Sequence, residues 1–277
     1  MARLVCAPRP ITPEQMIEAA RLALKMNPNN QPHSVVVARA LSGKPPHPAR
    51  IAAVIEKKWR STGVRLSVKF MDKPETALRK KILSHMNAWG KTANVIFTET
   101  NGTGQVRIAR LDTQADGGFW SYVGVEILAI PDNEPTLNLE GFTMSTIDSE
   151  FNRVVRHEAG HTLGFPHEHM RRELVDRIDE KKAIAHFGST QGWSPQEVKE
   201  QVLTPIEESA LLHTVHADPK SIMCYQIPGS ITKSGKPILG GTDIDEIDAA
   251  FAASIYPKAI AKKTSTMKIP KRSPGFA

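Results

Sequence analysis

The chain has 277 residues, 40% of them hydrophobic and 23% charged, with a formal net charge of +7. That is enough chain to bury a sizeable core in one or two domains, and the composition excludes a disordered or fibrous protein. No stretch approaches the roughly 18 consecutive apolar residues of a membrane span, so no transmembrane helix and no membrane partner are expected.

The first fifteen residues, MARLVCAPRPITPEQ, hold one short apolar patch before prolines intervene, which is no signal-peptide core. Thr12-Pro13-Glu14 starts a helix with proline at its first position; it runs to about Met26, where Asn27-Pro28 breaks it. Residues 27–49 are rich in Pro, Asn, Ser and Gly and read as a linker. From Gly63 to Met71 the apolar residues Val64, Leu66, Val68 and Phe70 alternate, a strand signal. Pro74 opens a helix whose Leu78, Ile82, Met86 and Trp89 form one stripe, and Ala93–Thr98 and Gln105–Leu111 read as further strands. Leu137–Leu139 is a short strand before a helix capped by Asp148 or Ser149 and running to Leu163. Beyond Gly164 the chain should be more irregular. Ser194 to Glu197 is a capping box opening a short helix to Leu203, and Thr242 to Asp245 starts another that reaches about Ile255. The elements thus predict an α+β fold with a twisted sheet and two helices in its upper half. There are no internal repeats.

Charge is unevenly placed. Residues 1–60 carry ten Lys/Arg against three acids and residues 258–277 carry six against none, so residues 61–257 hold twenty against twenty-six. The basic ends contain no nucleic-acid motif, and a nucleic-acid partner is not expected. The tail, 258–277, reads as a solvated extension.

Within the predicted long helix stands His157-Glu158-Ala159-Gly160-His161-Thr162-Leu163-Gly164-Phe165-Pro166-His167, or HExxHxxGxxH. Histidines four apart on a helix share one face, so His157 and His161 can reach one ion at about 2.0–2.1 Å. Glu158, beside the first ligand, is placed to hold a water and not the metal. Gly164 ends the helix in a turn that brings His167 back as a third ligand. Three protein ligands leave a fourth position open, as a catalytic zinc site does.

Farther on, Ser221-Ile222-Met223-Cys224-Tyr225 reads SIMCY, and the chain here resembles the metzincin clan of zinc metalloendopeptidases, with their methionine turn below the metal. The resemblance is nearest to the astacin family and its bacterial relatives. Their motif extends to HExxHxxGxxHEH, matched by Glu168 and His169; their SIMHY corresponds to SIMCY, and their WSYVG to Trp120–Gly124. It covers roughly residues 50–257. It implies a metzincin-like catalytic domain with a twisted mixed sheet, two long helices above the zinc cleft and an irregular lower subdomain.

The resemblance also implies one zinc ion, Glu158 as general base in hydrolysis of internal peptide bonds, and protein or peptide substrates. Met223 and Gly164 would shape the site. Tyr225 would be an additional, movable zinc ligand and hydrogen-bond donor in catalysis. Trp120 and Tyr122 would bind substrate along the edge strand. A monomer is expected. The family is secreted, although no signal peptide is read here, and its animal members carry disulfides that the two cysteines, Cys6 and Cys224, cannot supply. The chain divides into an N-terminal extension, 1–49, as a candidate pro-segment, a catalytic domain, 50–257, and the tail, 258–277. Val5-Cys6-Ala7-Pro8 lacks the PRCGxPD of matrixin pro-segments, so a cysteine latch of that kind is not expected. His169, pointing away from the site, and His33, His47, His85, His186, His213 and His216 are expected to be packing or surface residues. Two other readings stay open: a silent relative that binds peptides, and a tail-mediated binder with a structural zinc.

Overall fold

The computed structural model describes Cys6, Arg9 and residues 11–31, 56–113, 116–206 and 216–259. The Pro-rich stretch from residue 32 on, the tail beyond residue 259, and His33, His47 and His213 lie outside them.

Five strands form one sheet: β1 (Val64–Phe70), β2 (Val95–Glu99), β3 (Val106–Ala109), β4 (Phe119–Ser121) and β5 (Leu137–Leu139), in the order β2-β1-β3-β5-β4. All neighbours are parallel except β4, which runs antiparallel to β5 and forms the edge. The sheet is therefore mixed, as expected. In β1 the predicted alternation holds, Val64, Leu66, Val68 and Phe70 all being buried. β3 stops short of the expected Leu111 because the Asn138 side chain captures the Leu111 backbone, its Oδ1 accepting from the N–H at 2.7 Å and its Nδ2 donating to the carbonyl at 2.9 Å.

The helices are α1 (Pro13–Met26), which lies against the 3-10 segment Gly124–Ala129, and, packed on the sheet, α2 (Thr76–Met86) and a long helical run, α3, made of Asp148–Glu150, Phe151–Val155 with π-type bonding, and Arg156–Thr162. Asp148 does not cap α3: its carboxylate pairs with Lys81 at 2.7 Å, and Ile147 stands at the cap position. The Leu78–Ile82–Met86 stripe of α2 is buried; Trp89 lies in the 3-10 turn that follows and ties α2 to α3 by donating from its indole N–H to the Arg156 carbonyl at 2.8 Å.

The N-terminal helix shares this core. Thr12 and Gln15 form a capping box, and Ala19, Ala20 and Ala23 are buried. Asn30, fully buried, donates to the Ala23 and Lys58 carbonyls and accepts from the Lys58 N–H, so α1 is clasped to the chain entering β1. Leaving such buried groups unpaired costs about 1–3 kcal/mol each.

Below the cleft, α4 (Glu180–Gln191), α5 (Pro195–Val198, continued by Lys199–Leu203) and irregular chain enclose a second apolar cluster, including Leu174, Phe187, Val198, Ile227 and Ile238. α4 has no counterpart in the predicted elements; its apolar residues are sparse, only Ala183 and Phe187 being buried. The last helix, α6 (Glu246–Ile255), begins one residue after Asp245, which caps it.

Candidate metal centre and active-site cleft

α3 delivers His157 and His161 to one face, and Gly164 reverses the chain after them. Its φ of +95° is a left-handed conformation open mainly to glycine. The turn closes through bonds from Gly164 N–H to the His161 carbonyl (2.8 Å) and from Phe165 N–H to the Gly160 carbonyl (3.0 Å). His167 Nε2 thereby comes within 3.2 Å of His157 Nε2 and 3.0 Å of His161 Nε2.

The other ring nitrogens decide what these three can bind. His157 Nδ1 lies 2.6 Å from the Ile222 carbonyl and His161 Nδ1 lies 2.7 Å from the Phe165 carbonyl. A carbonyl only accepts, so each Nδ1 carries the proton and each Nε2 presents a lone pair. Burial holds His157 down to about 4, and His161 and His167 well below the usual histidine range. Neutral imidazoles aiming lone pairs at one point repel each other unless a cation sits between them. Four ligands at about 2.0–2.1 Å in a tetrahedron stand roughly 3.3 Å apart, close to what is found here. The donor set fits zinc.

The methionine turn is held from below. Asp248, in the first turn of α6, accepts from the Ser221 hydroxyl (2.6 Å) and the Ile222 N–H (2.9 Å). Ile222 in turn fixes His157, so Asp248 orients a metal-facing ring through two bonds. Met223 packs under α3 at Gly160, where an added Cβ would lie 2.5 Å from the methionine sulfur. Gly160, between the first two histidines, thus leaves room for the methionine beneath it.

Around the ion site stand three further groups. Glu158 is buried, and burial pushes its carboxyl up to about 8 against smaller downward pulls from Cys6 and Arg153. Cys6 donates from Sγ to Glu158 Oε2 at 3.4 Å, and its sulfur and the three histidines have ligand atoms within 4.8 Å of one another. The PRCGxPD motif of matrixin pro-segments is absent, as read from the sequence, yet the Cys6 thiol stands with the three histidines as a fourth possible metal ligand. The available signal is that one of only two cysteines stands in a basic N-terminal stretch. Tyr225 Oη is the third group, buried and without a hydrogen-bond partner among the described residues. Its ring stacks on His169 at 3.8 Å and meets His167 at 4.5 Å. His169 engages the Gln201 carbonyl through Nε2 at 2.9 Å and lies outside the metal-facing group, as expected.

Cys6, His157, Glu158 and Tyr225 line a cleft of about 250 Å³, together with Phe119 from β4, Arg153 from α3, and His186 and Gln191 from α4. Arg153 is one turn before His157, on the same face of α3. His186, half-buried, stands on the cleft wall with its ring against Phe187. Trp120 and Tyr122 are not among the lining residues; their rings meet edge-on at 5.9 Å beside it, Trp120 buried and Tyr122 half-buried.

Three metal-facing imidazoles with a buried carboxylate in an open cleft define a metallohydrolase of the long-histidine-motif class. Residues 52–228 match the family described as Astacin, a peptidase family. The zinc metalloproteinase nas-27 of Caenorhabditis elegans is 27% identical over 119 residues, 43% of this chain, and the match spans only 25% of that longer protein. A structure of myroilysin superposes with a TM-score of 0.67 at 30% identity, covering 74% of this chain and 97% of that one. A second myroilysin crystal structure gives a TM-score of 0.54 at 31% identity over 73% and 86% of the two chains. The chain belongs to the astacin family of peptidases, whose members are zinc metalloendopeptidases.

Proposed function

We propose that the chain hydrolyses internal peptide bonds of proteins with Glu158 as general base, and that it is made latent by Cys6. The carrying observation is the three-imidazole site with Glu158 beside it. Zinc, when bound by His157, His161 and His167, supplies Lewis acidity, lowering a water's pKa towards about 7 and polarising a carbonyl. Glu158 takes the proton of the attacking water and passes it to the leaving amine. The test is hydrolysis of casein by the metal-loaded chain: cuts at internal bonds that stop on chelation and resume when zinc is returned are expected, and chelator-insensitive cutting sinks the reading.

Tyr225 supports a further part of the mechanism. A buried hydroxyl without a partner is costly, at about 1–3 kcal/mol, unless it serves a group that arrives with metal or substrate. Tyr225→Phe is expected to lower kcat more than it changes KM, by about tenfold to a hundredfold, because its bond matters mainly in the transition state. Metal analysis should still find a full zinc complement. Unchanged turnover at full occupancy would leave Tyr225 as packing.

Latency rests on Cys6. With a metal held by the three histidines, Cys6 would be a further ligand as a thiolate and would keep water from the metal. The part that must move is short. Cys6 and Arg9 precede Thr12, whereas α1 beyond it belongs to the core, so the reading places the removable portion before Thr12 and keeps residues 13–30 with the catalytic fold. A chain begun near Ala49 would lose Ala19, Ala20, Ala23 and the Asn30 clasp along with the latch.

A further inference from the structure

The arm that carries Cys6 makes a second contact that zinc ligation does not require. Arg9, three residues on, places its guanidinium 4.5 Å from the centre of the Trp120 ring and 2.8 Å from the Asp116 carboxylate. A cation held over an aromatic face and against an acid is a recognisable binding arrangement. The cradle is built without Arg9. The Trp120 indole N–H donates to the Asp116 carbonyl at 3.1 Å, Asn138 donates to the same carbonyl at 3.3 Å, and the Asp116 N–H is held by Thr113 Oγ1 at 3.0 Å. Apart from Arg9, the Asp116 carboxylate meets only the Thr113 hydroxyl, at 3.5 Å, among the described residues, and stays about half exposed.

The cradle also borders the cleft on its edge strand. Trp120 belongs to β4, the sheet edge on which Cys6 already pairs as a parallel bridge to Phe119, and Phe119 lines the cleft. A chain entering the cleft by strand addition to β4 would carry a side chain past Asp116 and Trp120. We propose that Asp116 and Trp120 form a substrate subsite for a cationic side chain, arginine or lysine, which Arg9 fills while the arm is in place. The arm then blocks both the reacting centre and a specificity pocket. The inference rests on the endopeptidase reading, and Asp116 would be the residue that sets a preference for basic sequences flanking the cleaved bond.

The test uses the full-length, zinc-loaded chain carrying Cys6→Ala and Arg9→Ala, which empties the metal's fourth position and the cradle without shortening the protein. Peptides of one scaffold, with Arg, Lys, Ala or Glu scanned through the positions flanking the cut, are compared by kcat/KM. A part-exposed ion pair with a cation–π contact predicts a preference for Arg or Lys over Ala of about three- to tenfold at one position. Adding Asp116→Asn should flatten it, and Asp116→Lys should turn it towards Glu, with melting temperature and zinc content unchanged. Efficient cleavage with no cationic preference, or a preference that survives Asp116→Asn, overturns the subsite while leaving the peptidase reading intact. A zinc-loaded protein that cuts none of the peptides and no casein overturns the peptidase reading itself and the subsite with it.

Discussion

Glu158→Gln should retain one zinc per chain and lose peptide hydrolysis by about 10²–10⁴-fold, the usual contribution of a general base. The substitution keeps shape and removes only the ability to exchange a proton. The three ring nitrogens that face the metal point are untouched, and two of the rings are oriented by backbone carbonyls of Ile222 and Phe165 that the change does not reach. The glutamine amide can still donate or accept a bond at the Cys6 position, so the fold should melt unchanged. Metal analysis and a casein assay on the same preparation decide it. A variant with full zinc and near-parental activity would show that the proton is carried by some other group, and Tyr225 would be the next to test.

The opposite sign is expected at Cys6. Cys6→Ala in the full chain should raise activity by about ten- to a thousandfold, the range expected when the competent form of the parent is populated at about 0.1–10%. The thiol is buried against Glu158 and within 4.8 Å of a ring nitrogen of each of the three histidines, so its loss would free the base and open the space beside the metal together. Arg9 still anchors the arm, which gives the experiment an internal control. If Cys6→Ala stays silent while Cys6→Ala with Arg9→Ala becomes active, the arm inhibits by occupying the cleft and not through its sulfur. If neither variant exceeds the parent at equal zinc content, latency is wrong. A rise in Cys6→Ala that is abolished by adding Glu158→Gln would join the two predictions, because the released activity must use the same base.

The catalytic helix and its turn are legible in the sequence because local chemistry forces them. Two histidines four apart on a helix can serve one ion, and a glycine three residues later can reverse the chain cheaply. SIMCY and WSYVG carry the resemblance, and the alternation Val64, Leu66, Val68, Phe70 marks β1 because one face of the strand is buried. The α4 helix escapes because it buries little and its apolar period is weak, yet it brings His186 and Gln191 to the cleft wall.

What the linear chain determined by itself, then, is the metal site: ligands close in sequence, on a backbone whose geometry is set by hydrogen bonds between near neighbours. Everything that reaches the site from far away was decided only by the tertiary structure. Asp248 meets Ser221 and Ile222 because α6 docks under the methionine turn, and no spacing rule links the three. Gly160 is needed because Met223 lies against it, 63 residues later in the numbering. Cys6 faces Glu158 across a separation of 152 residues, and the helix that follows it in sequence is clasped through Asn30 to the chain before β1. Contacts at such separations are selected by which surfaces bury one another, and that information is spread over the whole core.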